Sequence, residues 1–422
     1  MASLRPQRRE DFEIGIICAL PLEYNAVSLL FDEFWDEDGD SYGKATGDFN
    51  NYTTGRIGKY NVVLALLSHM GKSNAASAAA GIRSSYCQLR LALLVGVCGG
   101  VPRVNDDEDE ILLGDVVISK TVVQFDFGRQ YPDRFIPKDA FEDRLGKQNK
   151  DVRSFLIALE TDRGLERLER RTAHLLKQLQ ANSMTRKRRR KYGYPGTAED
   201  RLFEPTYRHK HHISPTCICS QCYEKSDPVC DDALKSSCRD LGCEETYLVT
   251  RERLQMKSQL EQDNNDEAQE PAIHVGVIIS GDTVMKSGED RDAIAKREGA
   301  IAFEMEGVGV WEELPCLIIK GVCDYADCHK NKKWQDFAAA TAASAAKALL
   351  EAHIQTDKSK GTVTQEVGNG GPDNQPSILR NTASQNSEQT NEISQPATGA
   401  TARISDNSAS GGSRQTNSIT VR

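Results

Sequence analysis

Three acidic groups in this chain stand directly behind short apolar runs, where a carboxylate can meet a ligand at the end of a strand. Glu23 follows Ile14 to Leu20, Glu304-Met305-Glu306 follows Ala300 to Phe303, and Asp324 follows Pro315 to Cys323. Carboxylates so placed can protonate a leaving group, deprotonate a water, or steady positive charge that develops in a transition state. Taken singly, Glu23 or Asp324 reads more readily as the cap of a following helix, where a side-chain oxygen satisfies free backbone N–H groups. Three at the carboxyl ends of strands can share one crevice, because ligands of open α/β sheets bind outside those ends.

The elements that must position them alternate. Ile14 to Leu20 reads as a buried strand, closed by Pro21 and followed by helical spacing from Leu22 to Phe31. Tyr60 to Leu67 is a second strand, Lys72 to Arg83 an Ala-rich helix, Leu91 to Val97 a buried strand ending in Gly99-Gly100, and Leu112 to Gln124 another strand. The pattern resumes with strands at Ala272 to Ser280, Ala300 to Phe303 and Pro315 to Cys323, and ends in an Ala-rich helix from Trp334 to His353. This alternation predicts an α/β domain over residues 11–354, with a central mixed sheet flanked by helices. A charged segment of about residues 132–271 interrupts it, with an expected helix near Val152 to Leu179 and a basic run from Arg186 to Lys191. That run reads as a solvated loop before it reads as a nuclear localisation signal.

Five short motifs, in order, carry a resemblance. Gly15-Ile16-Ile17-Cys18-Ala19-Leu20 ahead of Glu23, Val95-Gly96-Val97-Cys98-Gly99-Gly100, Ser280-Gly281-Asp282, Ala302-Phe303-Glu304-Met305-Glu306-Gly307 and Cys323-Asp324 together resemble the signatures of the nucleoside phosphorylase and methylthioadenosine/adenosylhomocysteine nucleosidase superfamily. The resemblance covers the two halves that flank the insertion. It implies cleavage of the N-glycosidic bond of a purine nucleoside or nucleotide. Asp324 would protonate the departing purine, Glu23 would orient or deprotonate a water, and Glu306 with Met305 would hold the ribose hydroxyls. Glu304, Val97, Cys98, Gly99, Val284, Met285 and Trp334 would line the base and sugar pocket, and a homo-oligomer is implied. Cys323 stands where the resembling enzymes carry serine.

Phosphorolysis is the alternative to hydrolysis. Phosphorylases of the resembling superfamily place cationic and hydroxyl groups against phosphate where this chain has Glu23, Leu94 and Val97. Water is therefore the expected nucleophile. A catalytically silent ligand-sensing module on the same fold is the third reading. Met70-Gly71-Lys72-Ser73 ends like a phosphate loop but lacks its first glycine, Leu66 standing there, so a helix start is expected.

A net charge of -9 argues against a nucleic-acid partner, and no stretch has the apolar length of a membrane span. With no apolar signal core at the start, the expectation is a cytoplasmic or nuclear protein with reduced thiols. Cys217, Cys219, Cys222, Cys230, Cys238 and Cys243, with His209, His211 and His212 upstream, offer enough soft ligands for zinc. Their C-x2-C spacing is not repeated, so neither metal nor cofactor is assigned and the thiols are taken to pack or pair. Similar Cys-rich insertions occur in fungal members of the superfamily.

Residues 355–422 are polar and without aromatics, which predicts a tail that is disordered when isolated. It nevertheless repeats at an offset of 26, Ile378 on Ile404, Asn391 on Asn417 and Ile393 on Ile419, with Arg380 on Asp406 and Glu388 on Arg414 of opposite charge. This resembles the two-repeat β-solenoid amyloid signalling motifs of fungal cell-death proteins, and implies tail-mediated self-assembly.

Overall fold

A computed structural model of the chain describes residues 5–102, 110–138, 145–185, 192–214 and 216–353, and in the tail 377–379, 382–383, 388–395, 403–405, 408–409 and 414–421. The basic run from Arg186 to Lys191 lies outside these residues, as do Arg380, Asp406 and several other positions of the tail repeat. The chain divides into two compact units, Met1–Ile354 and Gln355–Arg422.

In the first unit the described elements run β1 (Ile14–Cys18), α1 (Pro21–Ser28), β2 (Glu33–Phe34), β3 (Tyr52–Ile57), β4 (Tyr60–Leu66), α2 (Lys72–Ser85), β5 (Leu91–Gly100) and β6 (Val116–Gln124). The insertion follows with a small hairpin, β7 (Gly128–Gln130) and β8 (Phe135–Pro137), then α3 (Lys150–Leu159), α4 (Asp162–Thr185), α5 (Asp231–Lys235), α6 (Cys238–Leu241) and α7 (Glu252–Gln262). The sheet is completed by β9 (Ile273–Ser280), α8 (Gly288–Glu298), β10 (Ala300–Glu304), α9 (Gly307–Glu313), β11 (Cys316–Asp324) and α10 (Gln335–Ala352).

The strand order is β10-β9-β6-β11-β5-β1-β4-β3-β2. β10 also pairs antiparallel with the end of β5, through Ala302 beside Gly100 and Phe303 beside Gly99. Five strands thereby close on themselves and bring the ends of β5, β10 and β11 together. The parallel pairings of β5 with β1 and β11 are built from runs buried on both faces, which is why those strands read as continuous apolar stretches. Ala-rich α10 packs against α1, α4, β5 and β11, its small side chains allowing close approach.

Two expectations shift in detail. The strand predicted from Leu112 begins at Val116, because Leu112 to Asp115 form a turn in which the Asp115 N–H donates to the Leu112 carbonyl (3.1 Å) and the Leu112 N–H to Asp115 Oδ2 (2.8 Å). The helix predicted near Val152 to Leu179 is two helices, since Thr161 Oγ1 accepts the Gly164 N–H (3.1 Å) and starts α4 afresh. Lys72 does begin α2, as the incomplete phosphate loop implied. Among the described residues no helix is long and apolar enough to cross a membrane.

In the second unit, β12 (Ser377–Leu379), β13 (Thr382–Ala383) and β14 (Glu388–Gln395) pair in parallel with β15 (Arg403–Ser405), β16 (Ser408–Ala409) and β17 (Arg414–Val421). The register sets Ile378 beside Ile404, Ala383 beside Ala409 and Glu388 beside Arg414, a constant offset of 26.

Candidate active site

Where β1 ends, the turn at Ala19-Leu20 leads into α1 and folds Glu23 back over the sheet. The N–H groups of Ala19 and Leu20 donate to its Oε2 (2.9 and 2.8 Å), and the Val97 N–H of neighbouring β5 donates to Oε1 (2.8 Å). The carboxylate lies so close to β5 that a Cβ at Gly96 would collide with it. Burial raises the Glu23 pKa above the ordinary carboxylate value, against the pull of Lys320 and the Val97 N–H.

β10 delivers Glu304-Met305-Glu306. The Glu304 side chain is fully buried and accepts from the N–H groups of Glu306 (3.0 Å) and Gly307 (2.9 Å), with Lys320 Nζ 3.6 Å away. Its carboxylate starts α9 and holds Glu306, and Glu304 also lines the cleft. Burial raises its pKa too, opposed by Lys320. Glu306 accepts from the Gly71 N–H at Oε1 (3.3 Å) and from Lys320 Nζ at Oε2 (3.2 Å).

Lys320, in the middle of β11, is the residue that sequence reasoning missed. It is 0% exposed. Burial alone would depress its pKa, but Glu306, Glu304 and Glu23 more than offset this and hold it well above the ordinary lysine value. One ammonium thus organises three carboxylates. The signal was present in the sequence as a single charge inside Cys316-Leu317-Ile318-Ile319-Lys320-Gly321-Val322, since a charge in such a strand needs acidic partners.

Asp324 ends β11. Its Oδ1 accepts the Ala326 N–H (2.9 Å) and lies 3.5 Å from Lys330 Nζ, while the Cys323 thiol is 3.5 Å from Oδ2. Ala326 has φ 52°, a left-handed conformation that costs a residue with a Cβ on the order of 1 kcal/mol or more, and here it brings its N–H back onto the carboxylate. A Cβ at Gly99 would stand 3.0 Å from Asp324 Oδ1, so the glycine keeps that approach open. Burial pushes the thiols of Cys18, Cys98 and Cys323 up, which leaves no thiolate nucleophile among them.

Glu23, Glu304, Glu306 and Asp324 line one cleft of about 370 Å³, together with Val97, Cys98, Gly99, Val284, Met285 and Met305. Phe125 and Phe303 add an edge-to-face aromatic wall, with ring centroids 6.1 Å apart. Lys286, Lys330 and Lys332 also line it. Trp334 does not. It is 1% exposed, its Nε1 donates to the Glu199 carbonyl (3.0 Å), and its ring packs on Tyr194 and Phe337.

A sequence profile described as the phosphorylase superfamily matches residues 13–177 and 221–355. A nucleotide-binding leucine-rich repeat (NLR)-like protein of Hyaloscypha variabilis is 31% identical over 347 residues, which are 81% of this chain and 29% of that protein. The chain therefore spans less than a third of that relative's length. A 5′-methylthioadenosine/S-adenosylhomocysteine nucleosidase of Mycobacterium bovis is 22% identical over 342 residues, 80% of this chain and 95% of the relative. Among solved structures, a Helicobacter pylori MTAN mutant with 5′-methylthioadenosine in its active site aligns with a TM-score of 0.44 at 14% identity, over 81% of this chain and 99% of that one.

Proposed function

Because the chain belongs to the phosphorylase superfamily, we propose that its cleft hydrolyses the N-glycosidic bond of a purine nucleoside or nucleotide. The observation that carries this reading is the convergence of Asp324, Glu306 and Glu23 on one cleft, with Glu306 and Glu23 held by the field of the buried Lys320. Asp324 is the acid that protonates the departing base. Glu306, fixed by Lys320 and the Gly71 N–H, holds the sugar hydroxyls and faces the positive charge that grows on the ribose. Glu23, with a raised pKa and both oxygens oriented by backbone N–H groups, takes a proton from the attacking water. The aromatic wall and Met285 suit a planar base.

Water is favoured over phosphate because Glu23, Glu304 and Glu306 line the cleft and share the one buried ammonium of Lys320, a poor environment for a dianion. Lys286, Lys330 and Lys332 give a phosphorylated sugar cationic partners elsewhere in the cleft. The test incubates the full chain with adenosine, methylthioadenosine and ATP, with and without inorganic phosphate, and chromatographs the bases. Free base without phosphate supports hydrolysis. Release only with phosphate makes the chain a phosphorylase, and binding without release makes it a sensor.

The tail supports a second, separate reading, that it self-associates. Its parallel register places Glu388 beside Arg414, and opposite charges at matched positions about 4.8 Å apart favour stacking. Each described pair is a two-stranded sheet, whose outer edges can accept strands of another copy. In sedimentation of the full chain, Glu388→Arg should reduce fibres and the double exchange with Arg414→Glu should restore them. A single variant that assembles like wild type would remove this reading.

A further inference from the structure

Two groups of histidines and cysteines lie outside the chemistry of the cleft. One joins His209, Cys238, Cys243 and His329; the other joins His211, Cys217, Cys219 and Cys230; within each, the ligand atoms lie within 4.8 Å of one another. In the first, Cys238 Sγ is 3.5 Å from His329 Nδ1 and 3.7 Å from His209 Nδ1, and Cys243 Sγ is 3.7 Å from His209 Nδ1. In the second, the sulfurs are 3.4, 3.6 and 3.7 Å apart, and His211 Nδ1 lies 3.2 Å from Cys219 and 3.6 Å from Cys230. A tetrahedron with Zn–S of about 2.3 Å and Zn–N of about 2.0 Å has S···S edges of about 3.8 Å and S···N edges of about 3.5 Å. The observed spacings sit close to those edges. A disulfide would bring two sulfurs to about 2.05 Å, and every cysteine of the chain is free.

The surroundings of the first group point the same way. His209 Nε2 lies 3.0 Å from the Ser236 carbonyl and His329 Nε2 lies 3.0 Å from the Tyr207 carbonyl. A carbonyl only accepts, so each Nε2 carries the hydrogen and each Nδ1 turns its lone pair toward the thiols, the arrangement of a ligating histidine held from behind. The apolar resources of this part of the insertion are small. Its buried cluster consists of Cys219, Cys222, Ala233 and Leu241, and α5 and α6 have five and four residues. Folds with so little apolar core depend on cross-links or metals.

We propose that the insertion holds two structural zinc ions, one bound by His209, Cys238, Cys243 and His329 and one by His211, Cys217, Cys219 and Cys230, and that the first clamps the insertion onto the loop that carries Asp324. His329 is the link, because it lies beyond the insertion, five residues after Asp324. The same loop is gripped a second time by the insertion through Tyr325, whose hydroxyl donates to Asp200 Oδ1 (2.8 Å) and receives Arg251. With four protein ligands each site is closed, so the metal holds structure and has no open position for substrate. Two thiolates neutralise the first ion, which suits its burial beside the cleft. The proposal departs from the reading of cysteine spacing, which assigned no metal. Spacing concealed the sites because one ligand lies far along the chain and the second set uses C-x-C.

The experiment measures metal in the purified full-length chain by mass spectrometry and follows titration of the metal-stripped protein with Co²⁺ by absorption. Two zinc ions per chain are expected, with cobalt bands of tetrahedral thiolate ligation. His329→Ala and Cys219→Ser should each lower the content to one. His329→Ala should also slow base release several-fold more than Cys219→Ser; that arm rests on the proposed reaction, whereas the metal count does not. A folded wild-type chain that binds neither zinc nor tetrahedral cobalt overturns the proposal. A variant that keeps both ions overturns its site. If a variant is insoluble, the cobalt stoichiometry of the wild type decides.

Discussion

Two regions hold the loop after β11, and they do so by different physics. On the sheet side, Cys316 to Cys323 are buried at every position, and the one charge among them is compensated by Glu304 and Glu306. On the insertion side the contacts are polar: the Tyr325 hydroxyl with Asp200 at 2.8 Å and with Arg251, the Glu199 carbonyl with Trp334, and the His/Cys group through His329, while Arg253 ties the insertion to Asp115 ahead of β6. Apolar burial is non-directional and tolerates variation, whereas ion pairs and metal ligands fix geometry and depend on pH and metal supply. The sheet therefore builds the cleft, and the insertion sets how firmly the Asp324 loop is held against it.

The largest effect should come at the acid itself. Asp324→Asn keeps the shape but cannot supply the proton, so base release should fall by about 10²- to 10⁴-fold with the melting temperature little changed. Near wild-type turnover would remove Asp324 from the mechanism. Next, Lys320→Met leaves Glu304 and Glu306 buried without their cation and should destabilise the first unit by about 3–5 kcal/mol, read from denaturant unfolding. A neutral result would show that the carboxylates do not need the ammonium. Glu306→Gln should cost about 2–4 kcal/mol in the barrier with ribosides and less with deoxyribosides. Equal losses on both sugars would exclude a contact with the 2′ hydroxyl.

A smaller effect separates the two regions by the sign of their pH dependence. Burial pushes the Asp115 carboxyl up, but Arg253 and His274 more than offset this and hold it well below its ordinary value of 3.8. Its folded form binds protons less readily than its unfolded form, so its contribution is present above pH 3.8 and lost as pH falls further. Glu23 and Glu304 are raised above 4.5 and act oppositely, costing stability as pH rises through their folded values. Asp115→Asn should therefore destabilise by about 1–3 kcal/mol at neutral pH, with the gap to wild type closing in acid. A gap independent of pH would deny the ion pair its role.

The cleft was legible because its acids sit in short runs at strand ends, where chain order alone implies a shared edge. Direction of side chains was not legible. Glu304 and Glu306 stand two apart and both line the cleft, yet Glu304 accepts the N–H groups that start α9 while Glu306 reaches the Gly71 N–H and Lys320. Trp334 follows Asp324 closely in sequence but faces the core of the insertion interface. Lys320 was hidden in an apolar pattern, and the His/Cys group that includes His329 was hidden by distance along the chain. The tail repeat, by contrast, was visible as an offset, because parallel in-register pairing needs only matched positions.

In the proposed reaction water attacks the sugar carbon as the purine leaves. The direct measurement runs the reaction in water enriched in heavy oxygen and weighs the released sugar by mass spectrometry. One heavy oxygen per sugar, independent of added phosphate and lost in Asp324→Asn, is the predicted result. A sugar 1-phosphate without the label, or no base released from any purine nucleoside or nucleotide, would contradict it.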